Sequence, residues 1–452
     1  MKRIMASVVS LFLLITAIPF CINVANAETL GDFEYRIYED KAIIYRYTGN
    51  EKNVVVPSAI AGCPVTIIGS EAFYECDLIE KVTLPSSVNV IGEAAFMKCK
   101  NLKSINIPDG VTEICERTFI DCISLRTIDI PNSVTEIGGR AFMDCAIESI
   151  TIPHGVKGIK YKTFYSCFNL KNATIPNTIT EIGNHAFFLC TSLDTISIPD
   201  GVISIGEGAF WSCNELKEIF IPASVAVIKE EAFRTCDKLI SIDVDENNSE
   251  YASVDGVLLN KDKTSLIQYP NGNSNKTYTI PDGVERIERY AFLEVLNLEN
   301  IIIPNSCLTL LSQSIKDCEN IKAVAIPNNV MKIDEYAIGY KYGINQKIDD
   351  FTIYANKGTA AETYALENGF DLKPYANFKS PSDSSTIESA ISSKKSVDKS
   401  DKTKTQGSSI RDSAWIYLIP VSLVAIGIVG VCLVTRKGVV NGNKKTLKNR
   451  EK

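Results

Sequence analysis

Apolar positions recur along this chain on a beat of 23 residues. In the stretch from Leu102 to Cys122, Leu102, Ile105 and Ile107 form an apolar run at strand-like spacing. Pro108-Asp109-Gly110 then supplies turn chemistry. Val111 and Ile114 make a second short extended stretch, and Thr118-Phe119 and Cys122 close the unit. The pattern reads L-x-x-I-x-I-P-x-x-V-x-x-I-G-x-x-A-F-x-x-C. Prolines 85, 108, 131, 153, 176, 199 and 222, then 281, 304 and 327, keep this pace, as do phenylalanines 73, 96, 119, 142, 164, 187, 210 and 233. One unit offers too few apolar side chains to offset the entropy of ordering itself, so the units must stack. The pattern predicts a β-rich solenoid, a right-handed superhelix of about twelve 23-residue coils.

The departures from the beat divide the chain. Residues 28–60 alternate apolar and polar side chains without the full motif and read as an N-terminal β cap over the first open edge. Coils follow over 61–244. The beat fails over 245–275, where "ASVDGVLLNKDKTSLIQYPNG" reads as a projecting hairpin insertion with Asn260 to Lys263 as its turn. Coils resume over 276–372 and end in a cap, with a last strand at Phe351 to Ile353 and a short helix from Ala360 to Asn368 stopped by Gly369.

The ends change the picture of the compartment. Residues 1–27, "MKRIMASVVSLFLLITAIPFCINVANA", read as a signal peptide with a basic start and a small-residue cleavage site. Residues 373–413 are rich in Ser, Thr and Lys and read as a disordered stalk. The segment 414–435 contains 20 uncharged residues from Trp415 to Val434, enough for one transmembrane helix, and the basic tail 436–452 places the C-terminus in the cytoplasm. The expected localisation is a single-pass membrane protein with an extracellular body. That body, 28–375, carries a net charge of −17, which argues against nucleic-acid binding.

"IPNSVTEIGGRAF", "IPDGVISIGEGAF" and "GCPVTIIGSEAF" resemble the BspA-like bacterial surface leucine-rich repeat family, over residues 30–372 or so. The insertion and the closing "FTIYANKGTAAETYALENGF" are similar to that family too. The resemblance implies a leucine-rich-repeat superhelix and adhesion to a protein or cell by binding. Its rivals are an architectural envelope protein without a specific ligand and a polysaccharide-binding surface module.

Little in the sequence points to an enzyme, a cofactor or a metal. His154 and His185, the only histidines, sit in variable slots and read as surface polar residues. Cys115 occupies a glycine slot. "DVDENNSE" alternates acids, but Asn248 and Val254 stand where a calcium loop needs Gly and an acid. Cysteines 76, 99, 122, 145, 167, 190, 213 and 236 keep the beat, and Cys318 rejoins it. They read as buried free thiols, as disulfides between coils, or as a metal column. Val295 in the equivalent slot of a later coil favours plain packing.

The candidate binding stripe is the outward set of the main strands: Ser104, Asn106, Thr127, Asp129, Ser149, Thr151, Asn172, Thr174, Thr195, Ser197, Glu218 and Phe220. It reads either as soluble decoration or as a docking face for an extracellular protein or cell-surface ligand, with Phe220 as anchor and the insertion as a second contact.

Overall fold

A computed structural model describes residues 28–341 and 346–379, all within one compact unit. The signal peptide, the transmembrane helix, the basic tail and the stalk beyond residue 379 lie outside the described residues. Among the described residues no helix is long and apolar enough to cross a membrane.

The chain winds as a β-solenoid of leucine-rich-repeat type with about 14 turns. The expected dozen was short because the caps continue the stack rather than merely covering it. Tyr47 of the N-terminal cap stacks on Phe73 at 5.4 Å, and Tyr269 of the insertion on Phe292 at 5.2 Å.

Each coil has three sides. The run before each proline forms the first ladder, with parallel rungs such as Ser149–Thr151, Asn172–Thr174 and Thr195–Ile196. The run after it forms a second parallel ladder, Gly158–Ile159, Glu181–Ile182, Ser204–Ile205 and Val227–Ile228. The third side is a string of turns carrying the Phe and Cys columns. There the Phe96 N–H donates to Thr118 O of the next coil at 2.9 Å, and Phe119 N–H to Ala141 O at 2.9 Å. All three sides thus carry hydrogen bonds between neighbouring coils, with breaks in the two strand ladders.

The core is a stack of rings. From Phe73 to Phe233 adjacent phenylalanine centroids lie 4.9–5.7 Å apart, nearly parallel, and each of these rings is fully buried. The consensus glycine before this column is a matter of clearance. A Cβ on Gly138 would sit 2.4 Å from Glu116 N, and one on Gly206 2.5 Å from Asn184 N. The turns also hold residues other than glycine in the left-handed region twice per coil, as at Ala94 and Lys98 or Arg117 and Asp121. Each costs about 1 kcal/mol, which the surrounding ladder must offset.

The insertion corrects the sequence expectation. It does not project. Tyr251–Val254, Val257–Asn260 and Ser265–Gln268 form an antiparallel meander, and Ser265–Gln268 continues the second ladder into Arg286–Ile287. Leu258 packs into the core of the preceding coils, whereas Val257 and Leu259 pack into the core of the following ones. One strand thus partitions two hydrophobic cores. Asn248 fixes its departure point: the buried amide donates to Pro222 O and Val225 O at 2.9 Å and accepts from Glu250 and Tyr251 N–H. Arg234 bridges the joint to Glu294 at 2.8 Å.

The C-terminal cap follows the sequence reading in its helix, whereas the strand expected as the last one, at Phe351 to Ile353, is Thr352–Tyr354 and is not the last. The helix Ala360–Asn368 starts on Thr359, whose hydroxyl accepts from Glu362 N–H, and ends on Gly369 at φ 61°. The ordered chain then runs past residue 372: the last rung is Asp371–Lys373, and a 3-10 turn at Tyr375–Asn377 brings Phe378 against Tyr354.

Candidate functional site

All twelve outward residues of the stripe are exposed on one face of the first ladder. Strand alternation puts them there, because each flanks an inward residue: Ile105, Ile128, Ile150, Ala173, Ile196 or Ile219. They form two columns. Ser149 pairs with Asn172 and Asn172 with Thr195, while Thr151 pairs with Thr174. The ladder is not continuous, because Thr127 and Asp129 keep the alternation but fall outside the assigned rungs. Asn106 turns back to the coil before it. Its side chain accepts from Leu84 N–H at 2.8 Å and donates to Leu84 O at 2.9 Å. This amide is committed to the preceding coil. Phe220 stands opposite Asp243 and is 51% exposed, a large apolar surface among small polar side chains. The stripe presents hydroxyl, amide and carboxylate groups with one exposed aromatic side chain.

The thiols take the plainest of the readings open to them. Every described cysteine is free. Cys99, Cys122, Cys145, Cys167, Cys190, Cys213, Cys236 and Cys318 are buried, and each Sγ–H donates to a phenylalanine carbonyl one coil back. Cys167, for example, reaches Phe142 O at 3.1 Å. The column is a hydrogen-bonding ladder. Burial holds these thiols protonated, raising Cys190 and Cys213 well above the ordinary range. Cys115 is also pushed up, to about 12, by burial and then by Glu113, which favours its protonated thiol. Ellman's reagent at pH 8 should therefore label the half-exposed Cys63 in the native protein, and the buried thiols from Cys99 to Cys236 only after unfolding. Column thiols that stay unreactive in unreduced denaturant would mean they are disulfide-bonded instead.

The histidines separate. His154 is exposed, as expected. His185 is not a surface polar residue, since its ring packs among Tyr161, Phe188 and Trp211 on the turn side. Burial and then Lys162 lower its pKa, disfavouring the charged ring. It belongs to an outer column in the slot after each core phenylalanine: Tyr165 stacks on Phe188 at 4.6 Å, Phe188 meets Trp211 edge-on at 5.0 Å, and Arg234 covers Trp211 at 4.1 Å. The sequence reading missed this column by treating the slot as variable.

On the same side Asp144 is pushed up to about 6, by burial first and then by Asp121. A raised acid pKa in the folded state means the ionised form is disfavoured there. Its penalty is absent below the unfolded value near 4 and complete above about 6. Asp144→Asn should stabilise the protein by about 1 kcal/mol at pH 7, after discounting for partial exposure, and by nothing at pH 4. Urea denaturation at both pH values checks this, and an equal gain at both would contradict it.

No group of three or more His, Cys, Asp or Glu side chains converges on a metal-sized site among the described residues.

Comparison with known proteins follows the geometry. The profile of the BspA type leucine-rich repeat region matches residues 44–171, 157–254 and 268–396. A leucine rich cell surface protein from Faecalibacterium prausnitzii is 25% identical, with TM-score 0.54, covering 81% of this chain and 98% of that one. The Treponema leucine-rich repeat protein TpLRR (T. pallidum) is 32% identical over 47% of this chain and 91% of its own, with TM-score 0.35. Among curated proteins no relative matches. The profile spans well over half of the sequence, and its repeat is the coil described above: the chain belongs to the BspA-type leucine-rich repeat family.

Proposed function

We propose that this chain is a surface-displayed binding protein that mediates adhesion to another protein or cell. The observation that carries the reading is the stripe: outward side chains from Ser104 to Ser197, small and polar, lie in columns on a rigid stack and lead to the exposed Phe220. Among the described residues only Asn106 of the twelve spends its side chain on an internal hydrogen bond. The leader, the stalk and the apolar segment Trp415 to Val434 support display outside the membrane on a single span, with the tail in the cytoplasm. The Faecalibacterium relative, described as a cell surface protein, supports the same placement.

The test is a binding screen of the full chain against immobilised matrix proteins and glycans. A true partner should bind about tenfold more weakly to Phe220→Ala, the usual loss for an aromatic anchor. Binding to none of the probes, or binding indifferent to Phe220, would contradict the reading.

A further inference from the structure

The insertion leaves the second ladder open inside the stack. In a regular coil, two carbonyls face the next turn and are taken by it. Ile203 O accepts from Ala226 N–H at 2.8 Å, and Ile205 O from Lys229 N–H at 3.0 Å. The rung Val227–Ile228 is the last of its four-stranded sheet. Its equivalent carbonyls, Ala226 O and Ile228 O, receive no donor among the described residues. The third group on this edge, Ile228 N–H, donates to the Tyr251 hydroxyl at 2.8 Å, which stands in for one acceptor of the absent rung.

Beyond this edge lies a cleft of about 300 Å³ between the two blocks of coils. Ile228 and Ile267, both half-buried, give it an apolar floor over the fully buried Phe233 and Leu258. Ser265 and Gln268 form the facing wall. Each is only 9% exposed, and neither the Ser265 hydroxyl nor the Gln268 amide has a hydrogen-bond partner among the described residues. Solvent still reaches both groups, so together with the two open carbonyls they are donors and acceptors free to meet a ligand that enters the cleft. The rim mixes Lys229, Glu230, Glu288 and Arg289, so its charge selects for neither sign.

We infer that this cleft binds an extended peptide segment of a partner protein by strand addition. The peptide donates main-chain N–H groups to Ala226 O and Ile228 O, sets one apolar side chain on Ile228 and Ile267, and is held by Gln268 and Ser265. Main-chain pairing supplies affinity and the single floor pocket supplies selectivity. This rests on the binding reading above and names one place and mode for it.

The probe is an acetylated, fluorescein-labelled peptide of residues 201–207, GVISIGE, which copies the regular rung Ser204–Ile205 of this ladder. It is titrated by anisotropy against the full chain. Saturable binding should weaken more than tenfold when the donating amides are N-methylated, and about tenfold in Gln268→Ala. Ser265→Ala, judged beside an unchanged melting temperature, should weaken it several-fold. No binding, or equal binding of the N-methylated peptide, overturns the inference. If the peptide fails while the chain still captures a matrix protein, this site falls and the binding function stands. If the peptide binds but no matrix protein or glycan does, the site stands and the adhesion reading falls.

Discussion

Phe187→Ala should cost the protein about 4 kcal/mol and split its unfolding into two transitions. The ring is fully buried, with neighbours at 5.3 Å on one side and 5.4 Å on the other. Truncating a buried phenylalanine leaves a cavity worth roughly 3–5 kcal/mol, and two stacked contacts are lost as well. In a one-dimensional array stability is a sum of unit and neighbour terms, so a weakened interface uncouples the blocks on either side. The urea slope of the main transition should fall accordingly. Phe233→Ala is the matched control, because its ring stacks on Phe210 alone within the phenylalanine column. It should cost about 1 kcal/mol less. Equal losses at the two positions, with an intact single transition, would mean that ring stacking does not couple the coils.

The second large effect is expected at Leu258→Asp. Leu258 is 1% exposed and belongs to the core of the first block, while Val257 and Leu259 beside it belong to the second. A carboxylate at this position has no partner and must either stay charged in an apolar wall or take up a proton. Either route costs on the order of 3–5 kcal/mol. Because the strand is shared, the damage should appear in both blocks. Hydrogen exchange should accelerate at amides of Phe210 and Phe233 on one side and of Phe292 on the other. Acceleration confined to one side would contradict the partition. For the same reason, deleting 245–275 would remove core rather than trim a loop.

Much of this fold was legible because period carries information that single residues do not. A phenylalanine repeated at 142, 164 and 187 must face one environment, and the stacked rings are that environment. The alternation around Ile150 or Ile219 likewise placed the outward stripe correctly. The closing helix was readable from Thr359 and Gly369, whose capping chemistry is local. Failures occurred where the period lapsed or a slot varied. "GVLLN" was read as hairpin arm, although a continuous apolar run is the mark of a strand buried on both faces. Asp255-Gly256 is a second turn within the insertion and was passed over. Tyr165, Phe188 and Trp211 differ in type, so their common column was invisible until the coils were laid in register. Asn106 looked like its neighbours, and only the distance to Leu84 shows that its amide is spent.

The most direct test of the account is spin exchange along the outward column. Nitroxides on Ser149→Cys, Asn172→Cys and Thr195→Cys should lie one strand spacing apart, roughly 4.8 Å, because these residues are register partners. The half-exposed Cys63 is first replaced by serine; the native thiol ladder is buried and protonated, so the added sites then label first. A single exchange-narrowed line is expected from this triple variant, and three ordinary lines from a chain labelled at Ser149 and Phe220 alone. Three resolved lines from the column itself would show that the coils are not stacked in register, and the proposed binding face would dissolve with them.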